Sequence, residues 1–289
     1  MADGARNQER QFRMTTKPIF IGGLFKSGTS LLRAMLGQHS HIAAGLETYW
    51  FEVDWDARLG RDEEPLADYV ERMAGFFDIE IEWAHSAAEK AESASAFVTS
   101  ILNEFAIRQG KPRWAEKTPG NILHVSRIKE NWPGAKIIHI IRDPRDVYAS
   151  LRQAKKWDSV EMFGNLWCDF MGAGARAASV VHEMRYEDLT LNPEECMRKA
   201  IQFVGEPWEP GVAEFSGRSE DYDKVMTLSG HASSTLDRLR HPLTNNRIGI
   251  WRDLIAADEL KSLRDFVADC GLGDAYDQVT EAAVTSTSR

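Results

Sequence analysis

Apolar positions along this chain follow two alternating rhythms. An apolar, β-branched run within 17–22 and a near-continuous one over 136–141 have the pattern of strands covered on both faces. After the first run, Leu31, Leu32, Met35 and Leu36 fall at helical spacing, predicting a strand over 17–22 and a helix over 29–38. From 50 to 110 the pattern is helical and rich in charge, with helices expected at 65–77 and 87–108. Residues 113–118 read as a short strand stopped by Pro119-Gly120, and 121–131 as a helix. Asp143-Pro144 supplies an N-cap and an N1 proline for a helix to about 155, and Asn192-Pro193 precedes another over 194–204. A further strand is expected at 180–185. Segment 39–45 reads as a loop, 216–246 as polar and irregular, 258–270 as the terminal helix, and 1–16 and 279–289 as disordered ends. Strands alternating with helices predict a single α/β domain over 17–278, three-layered, with a central parallel sheet flanked by helices.

Composition narrows the function classes. The net charge of −9 over 289 residues, with no basic tail or stripe, argues against general nucleic-acid binding. Any anion site must therefore rest on a few locally placed cations. The polar N-terminus resembles neither a signal peptide nor an anchor, and no apolar run approaches the ~20 residues of a membrane span. The three cysteines Cys168, Cys196 and Cys270 are widely spaced and form no metal-like pair. The expectation is a soluble, cytoplasmic protein without a metal; its oligomeric state is unreadable.

Four constellations carry chemistry. In Gly22-Gly-Leu-Phe-Lys-Ser-Gly-Thr-Ser30, a strand passes through a glycine-rich turn into a helix N-terminus, an arrangement that gathers backbone N–H groups around an anion. Gly23, Gly28 and Ser30 keep the spacing of a Walker A phosphate loop, but Thr29 occupies its lysine position and the lysine is Lys26. The strand at 136–141 delivers Arg142 to its carboxyl end, where ligands bind in open α/β sheets. Ser150, eight residues on, lies about two helical turns away. Arginine and hydroxyl together suit a phosphate, although Arg142 could instead pair with Asp146. Lys117 ends another strand, with Glu116 as its ordinary surface partner. Glu47 precedes the aromatic cluster Tyr49-Trp50-Phe51, where desolvation would raise its pKa and suit it to proton abstraction. Taken alone, a structural role for Arg142 and Ser150 is about as common as a ligand role, and for Lys117 and Glu47 it is the ordinary one.

Taken in order, Phe25-Lys-Ser-Gly-Thr-Ser30, Glu116-Lys-Thr-Pro119, Ile138-His-Ile-Ile-Arg-Asp-Pro-Arg-Asp146 with Ser150, and Arg185-Tyr-Glu-Asp-Leu189 resemble the sulfotransferase family. That family uses 3′-phosphoadenosine 5′-phosphosulfate (PAPS). The likeness covers about 17–252 and is strongest to the bacterial and tyrosylprotein branch, through Leu31-Leu-Arg-Ala-Met-Leu36 and Gly45-Leu-Glu-Thr48. It implies a P-loop-type fold in which Lys26, Ser27, Gly28, Thr29 and Ser30 hold the 5′-phosphosulfate and Arg142 and Ser150 the 3′-phosphate. By the same resemblance Glu47 falls at the catalytic base and Lys117 at a lysine that stabilises the transferring group. A later loop, Pro242-Leu-Thr-Asn-Asn-Arg-Ile-Gly-Ile-Trp251, departs from the family by placing His241 where a lysine is usual. Arg240, His241 and Arg247 all remain candidates for the cofactor, with Arg247 the one assigned.

The chemistry is compatible with that resemblance. Sulfuryl transfer, like phosphoryl transfer, needs in-line positioning and charge stabilisation more than covalent help. Two lysines would take the place of Mg²⁺. The expected acceptor is a hydroxyl on a glycan, glycolipid or small metabolite, with a protein tyrosine as the alternative. A P-loop small-molecule kinase and a non-catalytic nucleotide-binding protein are the rivals from other classes.

Overall fold

The computed structural model describes residues 17–154, 159–230 and 232–286. The expected disorder of 1–16 lies outside the described residues. Five strands form one sheet: β1 (Ile19–Gly22), β2 (Ile42–Ala44), β3 (Arg113–Lys117), β4 (Lys136–Ile141) and β5 (Val181–Arg185). Their order is β2-β3-β1-β4-β5, and every pairing is parallel. Register aligns Ile21 with Lys117 and with Ile138. Lys117 and the residue after Ile141 therefore emerge at the same sheet edge as the loop that follows Gly22.

Fourteen α-helices occur among the described residues: α1 (Thr29–Leu36), α2 (Leu66–Phe76), α3 (Ile81–Lys90), α4 (Ala94–Arg108), α5 (Val125–Asn131), α6 (Pro144–Gln153), α7 (Val160–Arg176), α8 (Tyr186–Leu191), α9 (Pro193–Val204), α10 (Glu220–Ser229), α11 (Ser234–Arg238), α12 (Trp251–Leu254), α13 (Ala257–Asp269) and α14 (Gly273–Ser286). Side-chain alternation along β1 divides the core, as strand geometry requires. Phe20 joins Trp50, Trp114 and Trp132 beneath α2–α4, while Ile19 and Ile21 join Leu32, Met35 and Ile201 on the face of α1 and α9. A third cluster, including Tyr148, Phe163, Trp167, Leu263 and Tyr276, packs α6 against α7, α13 and α14.

The sheet and its flanking helices match the three-layer α/β architecture expected from the pattern, and four local differences have physical causes. Segment 39–45 is not all loop: β2 is short enough that its three small or β-branched residues show no alternation. Segment 216–246 contains α10 and α11, whose polar faces hide the helical rhythm. The 160–176 stretch, unassigned from sequence, forms α7, with Phe163, Trp167, Phe170 and Ala173 buried. The expected disordered tail from 279 onward is corrected as far as Ser286, where α14 ends. Tyr276, Val279, Thr280 and Ala283 are buried at helical spacing, and Arg185 donates to the Val279 carbonyl at 2.9 Å. Among the described residues no helix is long and apolar enough to cross a membrane.

Candidate active site

The loop between β1 and α1 is shaped by contacts that only glycine permits. A side chain at Gly23 (φ +148°) would place its Cβ 2.2 Å from the Ile140 carbonyl oxygen, and one at Gly28 (φ +99°) would place it 2.5 Å from the Tyr186 ring. Lys26 also takes a left-handed backbone, φ 67°, and the Ser27 amide closes a turn onto the Leu24 carbonyl at 3.1 Å. Gly28 is the N-cap of α1 and brings no capping side chain. The first N–H groups of α1 thus face the loop's concavity, with buried Ser27, Thr29 and Ser30 around it. Converging amides and the positive end of the helix favour an anion there.

Lys117, at the end of β3, reaches this loop. Its side chain is 4 % exposed, and its ammonium donates to Ser30 Oγ at 3.2 Å and to Glu47 Oε1. The other Glu47 oxygen accepts from the Tyr49 hydroxyl. Lys117 therefore pairs with Glu47 and not with its neighbour Glu116, because adjacent strand residues point to opposite faces. Glu116 turns inward instead. It accepts from the Thr48 amide at 3.2 Å and hydroxyl at 2.8 Å, from Thr118 Oγ1 at 2.6 Å and from Asn121 Nδ2 at 2.5 Å. Tyr69 donates to the Thr48 carbonyl at 3.0 Å, so the backbone that follows Glu47 is fixed from below.

The Glu47 carboxyl departs from the sequence expectation in one respect. Burial does push its pKa up, but the adjacent Lys117 charge and hydrogen bond, helped by Tyr49 and Arg33, outweigh burial and leave it below the usual carboxylate range. Glu47 is thus ionised at neutral pH. For Glu116 burial prevails and the pKa is raised.

A second cationic cluster lies beside the loop in a cleft of ≈ 390 Å³, lined among others by Lys26, Arg142, Ser150, Tyr186, Arg238 and Arg247. Arg142 is buried. It donates to the Lys26 carbonyl at 2.8 Å and to the Arg247 carbonyl, and its guanidinium lies 4.4 Å from the centre of the Tyr186 ring. Its expected rival partner, Asp146, stands 3.8 Å away but is engaged by the Gly249 and Trp251 amides at 2.8 and 3.1 Å. Arg247 donates to Ser150 Oγ at 3.2 Å and to Gln153 at 2.8 Å. Burial first, then the charge of neighbouring arginines, lowers the pKa of both Arg238 and Arg247. The Lys26 ammonium donates to Thr235 Oγ1 on α11 at 2.9 Å.

All eight residues singled out from sequence for the cofactor converge on this sheet edge, together with Glu47 and Lys117. Of the three later candidates, Arg247 contacts Ser150 and His241 lines the cleft. Arg240 turns away to Asp237 at 3.2 Å and stacks 4.6 Å over Tyr222. Sequence reasoning missed Arg238 and Thr235, which α11 brings to the cleft. Their i, i+3 spacing was the available signal, hidden in a stretch read as irregular.

Comparisons with known proteins agree with this geometry. Residues 18–210 match the model of a family described as the sulfotransferase family. A protein-tyrosine sulfotransferase of Drosophila melanogaster is 25 % identical over 271 residues, covering 86 % of this chain and 49 % of its own length. Protein-tyrosine sulfotransferase A of Caenorhabditis elegans is 26 % identical over 267 residues, covering 86 % of this chain and 64 % of its own. The chain thus spans about half to two thirds of the length of these relatives. Among solved structures, the sulfotransferase domain of the Synechococcus PCC 7002 olefin synthase superposes with a TM-score of 0.63 at 18 % identity, covering 90 % of this chain and 97 % of that domain. The sulfotransferase domain from the curacin biosynthetic pathway does so with 0.60 at 17 %, covering 88 % and 98 %; at such identity both speak for the fold. With the family model matched across the loop, both lysines, Arg142 and Ser150, the chain belongs to the sulfotransferase family.

Proposed function

We propose that this protein transfers the sulfuryl group of PAPS to a hydroxyl of an acceptor. The observation that carries the reading is the pair of cationic sites on one sheet edge. Lys117 donates to both Ser30 and Glu47 at the loop, and Arg142, Ser150 and Arg247 share the adjoining cleft. A nucleotide anionic at both its 5′ and 3′ ends matches that division. The cleft residues fit such a group: Arg142 Nε and Arg247 Nε are buried without a hydrogen-bond partner among the described residues. An anion between the crowded arginines would relieve their mutual repulsion.

When bound, the donor would supply an activated sulfuryl group and a 3′-phosphate by which it is held. The loop amides and hydroxyls of Ser27, Gly28, Thr29 and Ser30 would cradle its 5′ end, and Arg142, Ser150 and Arg247 its 3′-phosphate. Lys26 and Lys117 would offset negative charge beside the loop. Glu47, ionised at neutral pH, would receive the acceptor's proton. Calorimetry with 3′-phosphoadenosine 5′-phosphate, set against ATP with and without Mg²⁺, tests the donor. A metal-independent preference for the 3′-phosphorylated nucleotide is expected, and tighter binding of Mg·ATP would refute the assignment.

The acceptor expected from sequence is a glycan, glycolipid or small metabolite. A phenolic acceptor is a second reading, favoured by the protein-tyrosine sulfotransferase names of the relatives. Labelled PAPS offered with tyrosine peptides and with sugars in parallel separates the two.

A further inference from the structure

Tyr49 is held at an unusual number of points for a residue in a loop. Its backbone is left-handed, φ 52°, a conformation that a bulky side chain adopts only when its surroundings impose it. Its amide donates to Thr118 Oγ1 at 3.2 Å, and its hydroxyl donates to Glu47. The Arg61 guanidinium covers its ring at 3.8 Å from the centre, and Arg61 in turn pairs with Glu52 at 2.9 Å. The residue before it, Thr48, is fully buried and gripped by Glu116 and Tyr69.

Resting on Glu47 as the base of the proposed transfer, we propose that Tyr49 is the positioning residue of this site: its hydroxyl on one Glu47 oxygen, with Lys117 on the other, fixes the plane of the carboxylate toward the acceptor. Each carboxylate oxygen can accept more than one hydrogen bond, and the Glu47 side chain keeps 27 % of its surface exposed. An acceptor hydroxyl can therefore approach while both donors stay in place. Two of the restraints on Tyr49 come from other segments of the chain (Thr118 and Arg61) and the third from Glu47 in its own loop, which argues for a fixed support and against a side chain that swings away. Chemically, the phenol stays protonated throughout. Burial and then the Glu47 charge raise its pKa, so it donates to Glu47 without competing for the proton that Glu47 takes.

The charged and titratable groups facing Glu47 are Lys117 from β3, Arg33 from α1, and Tyr49 and Glu52 from its own loop; Arg61 faces it through the Tyr49 ring. Of these, Tyr49→Phe removes one oxygen and leaves the ring under Arg61. The test follows the Glu47 carboxyl carbon by NMR in the full-length chain labelled at glutamate carboxyls, the signal being assigned by its loss in Glu47→Gln. Losing a hydrogen bond to the ionised form should move the Glu47 midpoint up by about one pH unit, a tenfold change in proton affinity. An unchanged midpoint overturns the inference. Arg61→Met, which frees the ring and keeps the hydroxyl, should move the midpoint the same way by less, and serves if the phenylalanine variant does not fold.

With PAPS and a phenol probe, 4-nitrophenol, Tyr49→Phe should lower kcat and raise the acid limb of the rate profile while leaving the KM for PAPS alone. A faster variant with a lower acceptor KM would identify the hydroxyl as a plug and also overturn the inference. Transfer that survives Glu47→Gln would instead refute Glu47 as the base, leaving the NMR result to speak for Tyr49 by itself.

Discussion

Replacing Arg33 by methionine tests how α1, the helix that follows the anion loop, is tied to α10. Arg33 lies on α1, its side chain 1 % exposed, and donates to Asp221 on α10 at 2.5 Å and to the Ala44 carbonyl at 3.2 Å. Asp221 is 10 % exposed, with Arg218 3.9 Å away as its remaining ion-pair partner. Removing one member of a buried ion pair leaves the other charge stranded, at about 3–5 kcal/mol. Arg218 softens that loss, so about 3 kcal/mol is expected, or about 6–12 °C in Tm for a domain of this size. Urea unfolding of Arg33→Met, Asp221→Leu and the double variant measures the coupling. The double variant should be more stable than either single one, because no uncompensated charge remains. A loss below about 1 kcal/mol in Arg33→Met, or simple additivity in the double variant, would refute the reasoning. The sign with pH is also fixed. Burial raises the Asp221 pKa, but Arg33 outweighs it and the net shift is downward. Its stabilisation is therefore complete above the ordinary Asp range and lost as pH falls through the depressed value. The gap between wild type and Arg33→Met should accordingly narrow in acid.

Arg247→Ala deletes the cation bonded to Ser150 and should weaken 3′-phosphoadenosine 5′-phosphate by about 10–100-fold in calorimetry, the worth of one charge-assisted hydrogen bond. Affinity unchanged by it would remove Arg247 from the site. Gly28→Ala forces a Cβ to 2.5 Å from Tyr186 at φ +99°; nucleotide binding should fall at least about tenfold, and a variant that binds like wild type would refute the loop argument. Lys117→Met removes the main charge that lowers the Glu47 pKa. The acid limb of the rate profile should therefore move up by about one pH unit or more, and a limb left in place would show that another group titrates. Glu47→Gln should abolish transfer while sparing nucleotide affinity, measured on the same preparation; loss of both would mark Glu47 as structural.

Much of this site was legible because it depends on local chain geometry. Gly23 and Gly28 announce a loop that no other residue can follow, and the run ending at Ile141 announces a strand that must deliver Arg142 to its carboxyl end. Glu47 was legible as a candidate by resemblance, yet its ionisation was misjudged, since the aromatic neighbours visible in sequence suggested burial alone. The opposing cation, Lys117, lies 70 residues away, and no spacing rule relates the two. Arg238 went unseen because α11 buries little and so leaves a weak apolar rhythm. The helix at 273–286 was overlooked although its buried positions fall at regular spacing, because small and polar residues dilute the signal.

The amino-acid sequence alone determined four of the five strands and the helices of strong apolar rhythm, the anion loop and the chemical types available at the ends of β1, β3 and β4, because these follow from backbone sterics and from the period of apolar burial. It also carried the family, since the motifs occur in order along most of the chain. Tertiary contacts assigned the partners: Lys117 to Glu47 and not to Glu116, Arg247 to Ser150 in place of Arg240, and Arg33 to Asp221. Such pairings join segments far apart in the chain. Their strength and sign depend on distance and burial, which the strand order β2-β3-β1-β4-β5 sets by bringing the ends of β1, β3 and β4 to one edge.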